Sequence, residues 1–408
     1  MASITVVGGS LGGLMAANML LRAGHDVKVL EKAAGSLDGR GAGIVTHRPL
    51  VAALFRCGIA PDAALGVAID QRVVLGADGG VLASAAVPQV LTSWSRLYAL
   101  LLAEFPAQFY VQSASVIKVT QTASDVTAIC ADGRVFKSDI LIASDGIRSP
   151  VRAQLAPEVK VNYAGYVAWR GVCDESVLSQ RTLDTVFNRF GFGLPSGEQL
   201  IGYPVAGAEN SVRVGARRYN FVWYRPAPDD GALQTLMTDA DGHHHAHGLP
   251  PHKVSWKHIA QARQDARELL APQFAEILEK TAQPFLQPIY DCSSPKTAYG
   301  RVALMGDAAF VARPHVGMGV TKAAQDASAL SDCFVKLGAT PAALLAYESL
   351  RLKAGQAIVE RARNLGAYLG ANLGNYAAAA MQRNVLDVMM ETAIDLSPSE
   401  QVAEAEVA

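Results

Sequence analysis

Gly8, Ser10 and Gly13 stand in the spacing Gly-x-Ser-x-x-Gly, directly after the apolar run Ile4–Val7 and before the helix-forming stretch Leu14–Ala23. That spacing has a physical use. Gly8 allows a turn that side chains obstruct, a small residue at position 10 lets the backbone approach a pyrophosphate, and Gly13 lets a helix close on a strand. The N–H groups of the helix start, from Leu11 onward, then face the phosphates with their partial positive charge. Glu31 closes the next apolar run, Val27–Leu30, and lies 23 residues after Gly8, where a carboxylate accepts hydrogen bonds from an adenosine ribose. Strand, tight turn, helix and strand within about 30 residues make a βαβ unit with parallel strands. Taken alone, the unit leaves NAD and FAD both open.

Three further stretches bear on that choice. One runs from Asp139 through an apolar strand to Asp145-Gly146, then to Arg148 and Arg152. A second runs from Gly300 through the strand Val302–Met305 to Gly306-Asp307, then to Pro314-x-x-Gly317-x-Gly319. The third is Arg40-Gly41-Ala42-Gly43-Ile44. Asp307 follows a buried strand, where a carboxylate can bind the hydroxyls of a ribityl chain. Gly317-x-Gly319 opens a helix through Ala327, whose N–H groups can hold the electron-rich end of a flavin ring.

Composition sets the frame for these elements. The chain has 408 residues, half of them hydrophobic, with 36 Lys+Arg against 37 Asp+Glu. That excludes a disordered chain, and the formal net charge of −1 removes the usual reason to expect nucleic acid. A small-molecule partner is expected. The five cysteines are scattered with no CxxC, which fits a reducing, cytoplasmic setting without a disulfide framework or a thiolate zinc site. The apolar stretch Ile4–Leu21 reads as a buried strand and helix, not as a leader or a membrane span. The run His243-His244-His245-x-His247 sits in an Asp-, Gly- and Pro-rich loop without a second ligand pair, so no metal is expected.

The motifs imply an α/β chain, α+β overall. From about Tyr163 to Tyr224, aromatic and β-branched stretches alternate with Gly, Pro and Asn, the texture of an antiparallel sheet. The expected division is a discontinuous Rossmann-type FAD-binding domain (1–160 and 284–365), an inserted β-rich substrate domain (161–283), and a C-terminal helical segment and tail (366–408). The Ala/Leu-rich helices after Pro341 permit a homodimer, and the charges at Glu360, Arg361 and Arg363 read as a solvated helix face.

Together these residues resemble the FAD-dependent aromatic hydroxylases, the single-component flavin monooxygenases of the para-hydroxybenzoate hydroxylase type. Within that family they are most similar to the dihydroxypyridine hydroxylases. The carriers are Gly8 to Ser10, Tyr163 through Tyr166 and Trp169 to Gly171, Asn220 to Tyr224, Leu236 to Asp239, and Arg313-Pro314-His315. Many relatives have His after Gly-Asp-Ala-Ala, where this chain has Phe310. The resemblance implies that Glu31 and Lys32 flank the adenosine and that Arg96 meets the FAD diphosphate. It also implies that Ala42, Gly43 and the loop from Pro314 to Val320 border the isoalloxazine. Without the resemblance, Arg96 reads as a solvated helix start.

The same resemblance implies ring hydroxylation driven by NADH or NADPH and O2 through a flavin C4a-hydroperoxide, with no second nucleotide fold for the nicotinamide. Electrophilic attack needs an ionisable ring hydroxyl, and therefore a base; His315 and His47 are the candidates. Gln199 and Tyr203 share a strand face and are the expected ring contacts, against the alternative of a surface Gln and a sheet Tyr with a satisfied hydroxyl. Trp169 and Tyr166 lie on opposite strand faces. A flavin halogenase should carry Trp-x-Trp-x-x-Pro, whereas Trp94, Trp169, Trp223 and Trp256 stand alone. A plain NAD dehydrogenase leaves the two later flavin stretches unexplained, and a redox-silent flavoprotein would hold FAD without turnover.

Overall fold

A computed structural model of the chain describes residues 1–35, 37, 43–246, 248–369 and 384–395. The apolar runs become the centre of a six-stranded sheet, in the order Ala298–Tyr299, Val302–Leu304, Ile140–Ala143, Ser3–Val7, Asp26–Leu30 and Tyr110–Val111. All pairings are parallel except that of the edge strand Ala298–Tyr299. Strands covered on both faces read as unbroken apolar runs, and Ile140–Ala143 is buried at every position. Helices Leu11–Arg22, Trp94–Glu104 and Gly319–Leu337 pack on this sheet through Leu14, Leu97, Leu101 and Leu330. The sheet therefore takes strands from both ends of the chain.

The second sheet has nine strands, in the order Phe310–Val311, Phe285–Ser293, Asn162–Asp174, Arg218–Pro226, Gln199–Val205, Phe190–Gly193, Val67–Leu75, Val81–Ser93 and Gly43–Thr46. Four of these lie within 161–283, three come from before it and two from after it. Residues 43–93 were hard to read as sheet because the long strand Val81–Ser93 is Ala- and Ser-rich, with alternating rather than continuous burial.

Register sorts this sheet into two faces. Gln199 pairs with Tyr224, Tyr203 with Asn220, and Phe190 with Arg72. Residues directly opposite share a face, so these six line one side, together with Tyr166 and Phe192. Leu200, Trp169, Tyr219, Phe221 and Trp223 line the other. There they meet Ile259, Ala266 and Phe274 of helices Trp256–Leu269 and Pro272–Lys280. Tyr166 and Trp169 thus part as the alternation requires.

A meander of three strands, Val116–Gln121, Val126–Cys130 and Val135–Ser138, flanks the parallel sheet. Val111, just before this meander, belongs to the parallel sheet. Helix Pro341–Gly366 and a short helix Val385–Glu391 follow, the latter opened by a reciprocal capping box between Asn384 and Asp387. Arg363 is not simply solvated: its Nη2 donates to buried Asp291 at 2.7 Å. All five cysteines are buried thiols, and burial pushes Cys57 up to about 12. Among the described residues, no helix is long and apolar enough to cross a membrane.

Candidate active site

Parallel register brings Val7, Leu30, Ala143 and Leu304 level at one end of the sheet. Gly8, Glu31, Asp145 and Asp307 consequently emerge along a single edge, the edge where open parallel sheets bind ligands. The turn after the first strand is as tight as the glycines imply. Gly8 has φ +102°, and a Cβ added to Gly13 would lie 1.8 Å from the Gly8 carbonyl oxygen. Ser10 is the N-cap residue of helix Leu11–Arg22. The buried Glu31 carboxylate accepts N–H groups from Gly9 and Ala33, each at 2.8 Å, which holds it against the turn. Lys32 beside it is exposed.

The later motifs complete this edge. Burial raises the Asp145 carboxyl above its ordinary value, and its Oδ1 is buried with no hydrogen-bond partner among the described residues. The Asp307 side chain is 52% exposed and is held by buried Lys322 at 3.4 Å. Arg96 lies in the first turn of helix Trp94–Glu104 and reaches Asp62 at 3.7 Å. Its Nε is buried without a partner among the described residues, so it is not a wholly solvated helix start. Pro314–Val316 makes one tight turn, Gly317 follows with φ +64°, and Gly319 begins the 19-residue helix. Val320 packs on the core of the parallel sheet. An added Cβ at Gly319 would meet nothing within 4 Å, so the helix start presents open N–H groups. Orphaned buried acceptors and donors, a glycine cradle and an open helix start are what a dinucleotide with a flavin end demands; the residues fit FAD. Arg40 and Ala42 lie outside the described residues.

Beyond this edge stands the polar–aromatic face of the large sheet. His315 is fully buried, with Nδ1 at 2.7 Å from Gln199 Oε1 and Nε2 at 2.9 Å from the Tyr166 hydroxyl. An amide oxygen only accepts, so Nδ1 carries the proton and Nε2 accepts from Tyr166. The Arg313 guanidinium reaches the same hydroxyl, and burial keeps the Tyr166 phenol well above its ordinary pKa. Tyr224 closes over the imidazole at 4.1 Å between ring centroids. Gln199 and Tyr203 share a face as expected, and Gln199 is buried rather than a surface residue. Its carbonyl, however, is committed to His315.

Tyr203 lies against Gly43, where an added Cβ would stand 2.4 Å from the ring, and burial pushes its phenol up to about 12. His47 is also buried, with Nδ1 at 3.0 Å from Thr321 Oγ1, just inside the helix that Gly319 opens. Burial lowers its pKa, an effect the nearby Asp395 charge and Ala393 carbonyl only partly offset. His47 Nε2 has no hydrogen bond among the described residues. The remaining histidines of interest lie apart from this site. His245 is 2.8 Å from Asp239, while buried Asp239 and exposed Asp241 and His243 bring ligand atoms within 4.8 Å of one another.

Sequence reading missed two neighbours here. Asn220 accepts the Gly43 N–H at 3.2 Å while its Nδ2 stays buried and unpartnered among the described residues. As the one amide in an aromatic strand, it carried a usable signal. Arg72 is the other; it carried none.

Fold and edge together define an FAD-binding protein, and the relatives below make it an FAD-dependent aromatic monooxygenase. An FAD binding domain family matches residues 1–184 and 249–362, and an FAD binding domain-like family matches 163–291. The chain is 31% identical to 2,6-dihydroxypyridine 3-monooxygenase of Paenarthrobacter nicotinovorans over 371 residues, covering 90% of this chain and 91% of that protein. It is 26% identical to 6-hydroxynicotinate 3-monooxygenase of Pseudomonas fluorescens, over 82% of this chain and 83% of that one. The solved structure of 2,6-dihydroxypyridine-3-hydroxylase from Arthrobacter nicotinovorans matches with a TM-score of 0.85 at 31% identity, covering 90% of this chain and 92% of that one. The chain belongs to the FAD binding domain family, in its aromatic-hydroxylase group, and FAD is its cofactor.

Proposed function

We propose that the enzyme hydroxylates an electron-rich, already hydroxylated aromatic or N-heteroaromatic ring of the dihydroxypyridine kind, consuming NAD(P)H and O2. The observation that carries this reading is the pair of buried histidines flanking the Gly317–Gly319 loop, His315 packed against Tyr166 and Tyr224 and His47 bonded to Thr321. FAD, when bound, would supply the redox chemistry that couples NAD(P)H oxidation to ring oxygenation by O2.

The chain's own residues hold, orient and deprotonate. Gly8, Ser10, Leu11 and Gly13 receive the pyrophosphate, with Arg96 beside it. Glu31 and Lys32 take the adenosine end; Asp145 and Asp307 take the ribityl hydroxyls. Gly43 and the loop from Pro314 through Gly317 and Gly319 to Val320 border the isoalloxazine. His47 is the favoured base. Its Nε2 is unpaired among the described residues, and its lowered pKa keeps it neutral at neutral pH, ready for a ring proton. His315, fixed by Gln199 as the Nδ1–H tautomer, takes a proton only through Tyr166. Tyr203 supplies an apolar wall.

The same reading divides the chain into FAD-binding (1–160, 284–365), substrate (161–283) and C-terminal (366–408) parts. It places the enzyme in the cytoplasm, with helix Pro341–Gly366 and its exposed Leu345 and Leu350 as the face for a homodimer. The test is to purify the protein, record its visible spectrum, and follow NADH and NADPH oxidation with hydroxypyridines and phenols. Ring-stimulated oxidation with a hydroxylated product is expected. An intact flavin spectrum with no stimulation by any ring compound would overturn the proposal.

A further inference from the structure

Arg72 is a buried cation on the sheet face opposite Phe190, and among the described residues it has no carboxylate partner. Its guanidinium stands 5.0 Å from the Phe190 ring centroid. Its donors go instead to main-chain carbonyls more than 300 residues away: Met389 and Thr392 at 2.6 Å each and Ala393 at 3.0 Å. Gln89 Oε1 takes the rest at 2.7 and 3.1 Å, and Gln89 Nε2 donates to the same Ala393 carbonyl at 3.0 Å. These carbonyls lie at and just past the C-terminal end of helix Val385–Glu391, where the helix dipole is negative.

The segment so held covers the residues assigned to the ring. The Ala393 N–H donates to the His315 carbonyl at 3.0 Å, and Gln199 Nε2 reaches Thr392 Oγ1 at 3.4 Å. The Ala393 carbonyl faces His47, and a Cβ on Gly317 would lie 2.7 Å from the Ala393 Cβ. Thr392, Ala393 and Met389 are buried.

We infer that residues 384–395 form the closing wall of the ring chamber and that Arg72 is the positioning residue that holds this wall against His315, Gln199 and His47. The inference rests on the proposed hydroxylation. A buried cation is tolerable only while its partners are in place, so wall and latch dock together or not at all. Closure keeps water from the site at the moment of oxygen transfer, and a loose wall wastes reducing equivalents as hydrogen peroxide.

The test uses the FAD-loaded full chain and its Arg72→Met variant, with Gln89→Leu as a milder second variant that removes one strut and leaves Arg72 in place. Glu391 gives a readout independent of turnover, because cleavage after it by a glutamate-specific protease requires the wall to lift. Expected for Arg72→Met are unchanged FAD content, cleavage after Glu391 on the order of tenfold faster, and KM for the ring raised on the order of tenfold. A several-fold larger share of NAD(P)H should end as peroxide, with smaller changes of the same sign in Gln89→Leu and recovery in Arg72→Lys. Wild-type cleavage and wild-type peroxide yield in both Arg72→Met and Gln89→Leu would overturn the inference. If the wild type itself oxidises no ring compound, the proposed function fails, and the cleavage rates still decide whether Arg72 holds the wall.

Discussion

His47 has two consequences that can be separated by experiment. Burial holds its imidazole below the ordinary 6.5, so the unfolded chain binds the proton more readily than the folded one. Its contribution to stability is therefore complete above the ordinary pKa and is lost as pH falls through the lowered one. We expect the melting temperature of the wild type to drop between pH 7 and pH 5, and His47→Gln to lose less over that interval. The same variant should hydroxylate about 10²-fold more slowly at unchanged FAD content, the usual loss for a proton acceptor. Replacing His315 by Ala should lower the hydroxylation rate with FAD retained; loss of FAD on purification would instead give His315 a structural role in the Pro314–Val320 loop. Both histidines were legible in the sequence because each lies beside a glycine motif. Their partners were not: Gln199, Tyr166 and Thr321 are 116, 149 and 274 residues from the histidines they contact.

Single elements were read well where local rules decide them. The βαβ unit needs only β-branched runs, Gly8 and Gly13, and it stands where expected, with the helix starting three residues earlier, at Leu11. Gly13→Ala tests that unit directly. A Cβ 1.8 Å from the Gly8 carbonyl cannot be accommodated without moving the turn. About 1–3 kcal/mol of stability should be lost, with FAD released, read as a lower melting temperature and a colourless protein. The strands between 43 and 93 escaped the reading for the opposite reason. Their alternation is half-polar, and what makes them sheet is pairing with one another and with Phe190–Gly193 more than 100 residues later.

For the molecule as a whole, the informative group is Asp291. It stands in strand Phe285–Ser293 and accepts Arg313 Nε at 2.8 Å and Arg363 Nη2 at 2.7 Å. One carboxylate thereby ties the large sheet, the loop that carries His315, and helix Pro341–Gly366. Asp291→Ala leaves two arginines facing a buried void and should cost about 3–5 kcal/mol, measured as a lower urea midpoint at unchanged slope. Composition had suggested a solvated face at Arg363, since an arginine's partner depends on which strand the helix crosses. Interleaving itself was legible, because Asp145 and Asp307 each end an apolar strand of the first sheet. What stayed hidden was the return of residues 384–395 to the site.

The five buried thiols add a practical consequence. A folded chain with every sulfhydryl shielded offers alkylating dyes no native target. A single cysteine placed at exposed Leu386 would then take the label alone, and fluorescence from that one dye could report the opening of the ring chamber in real time.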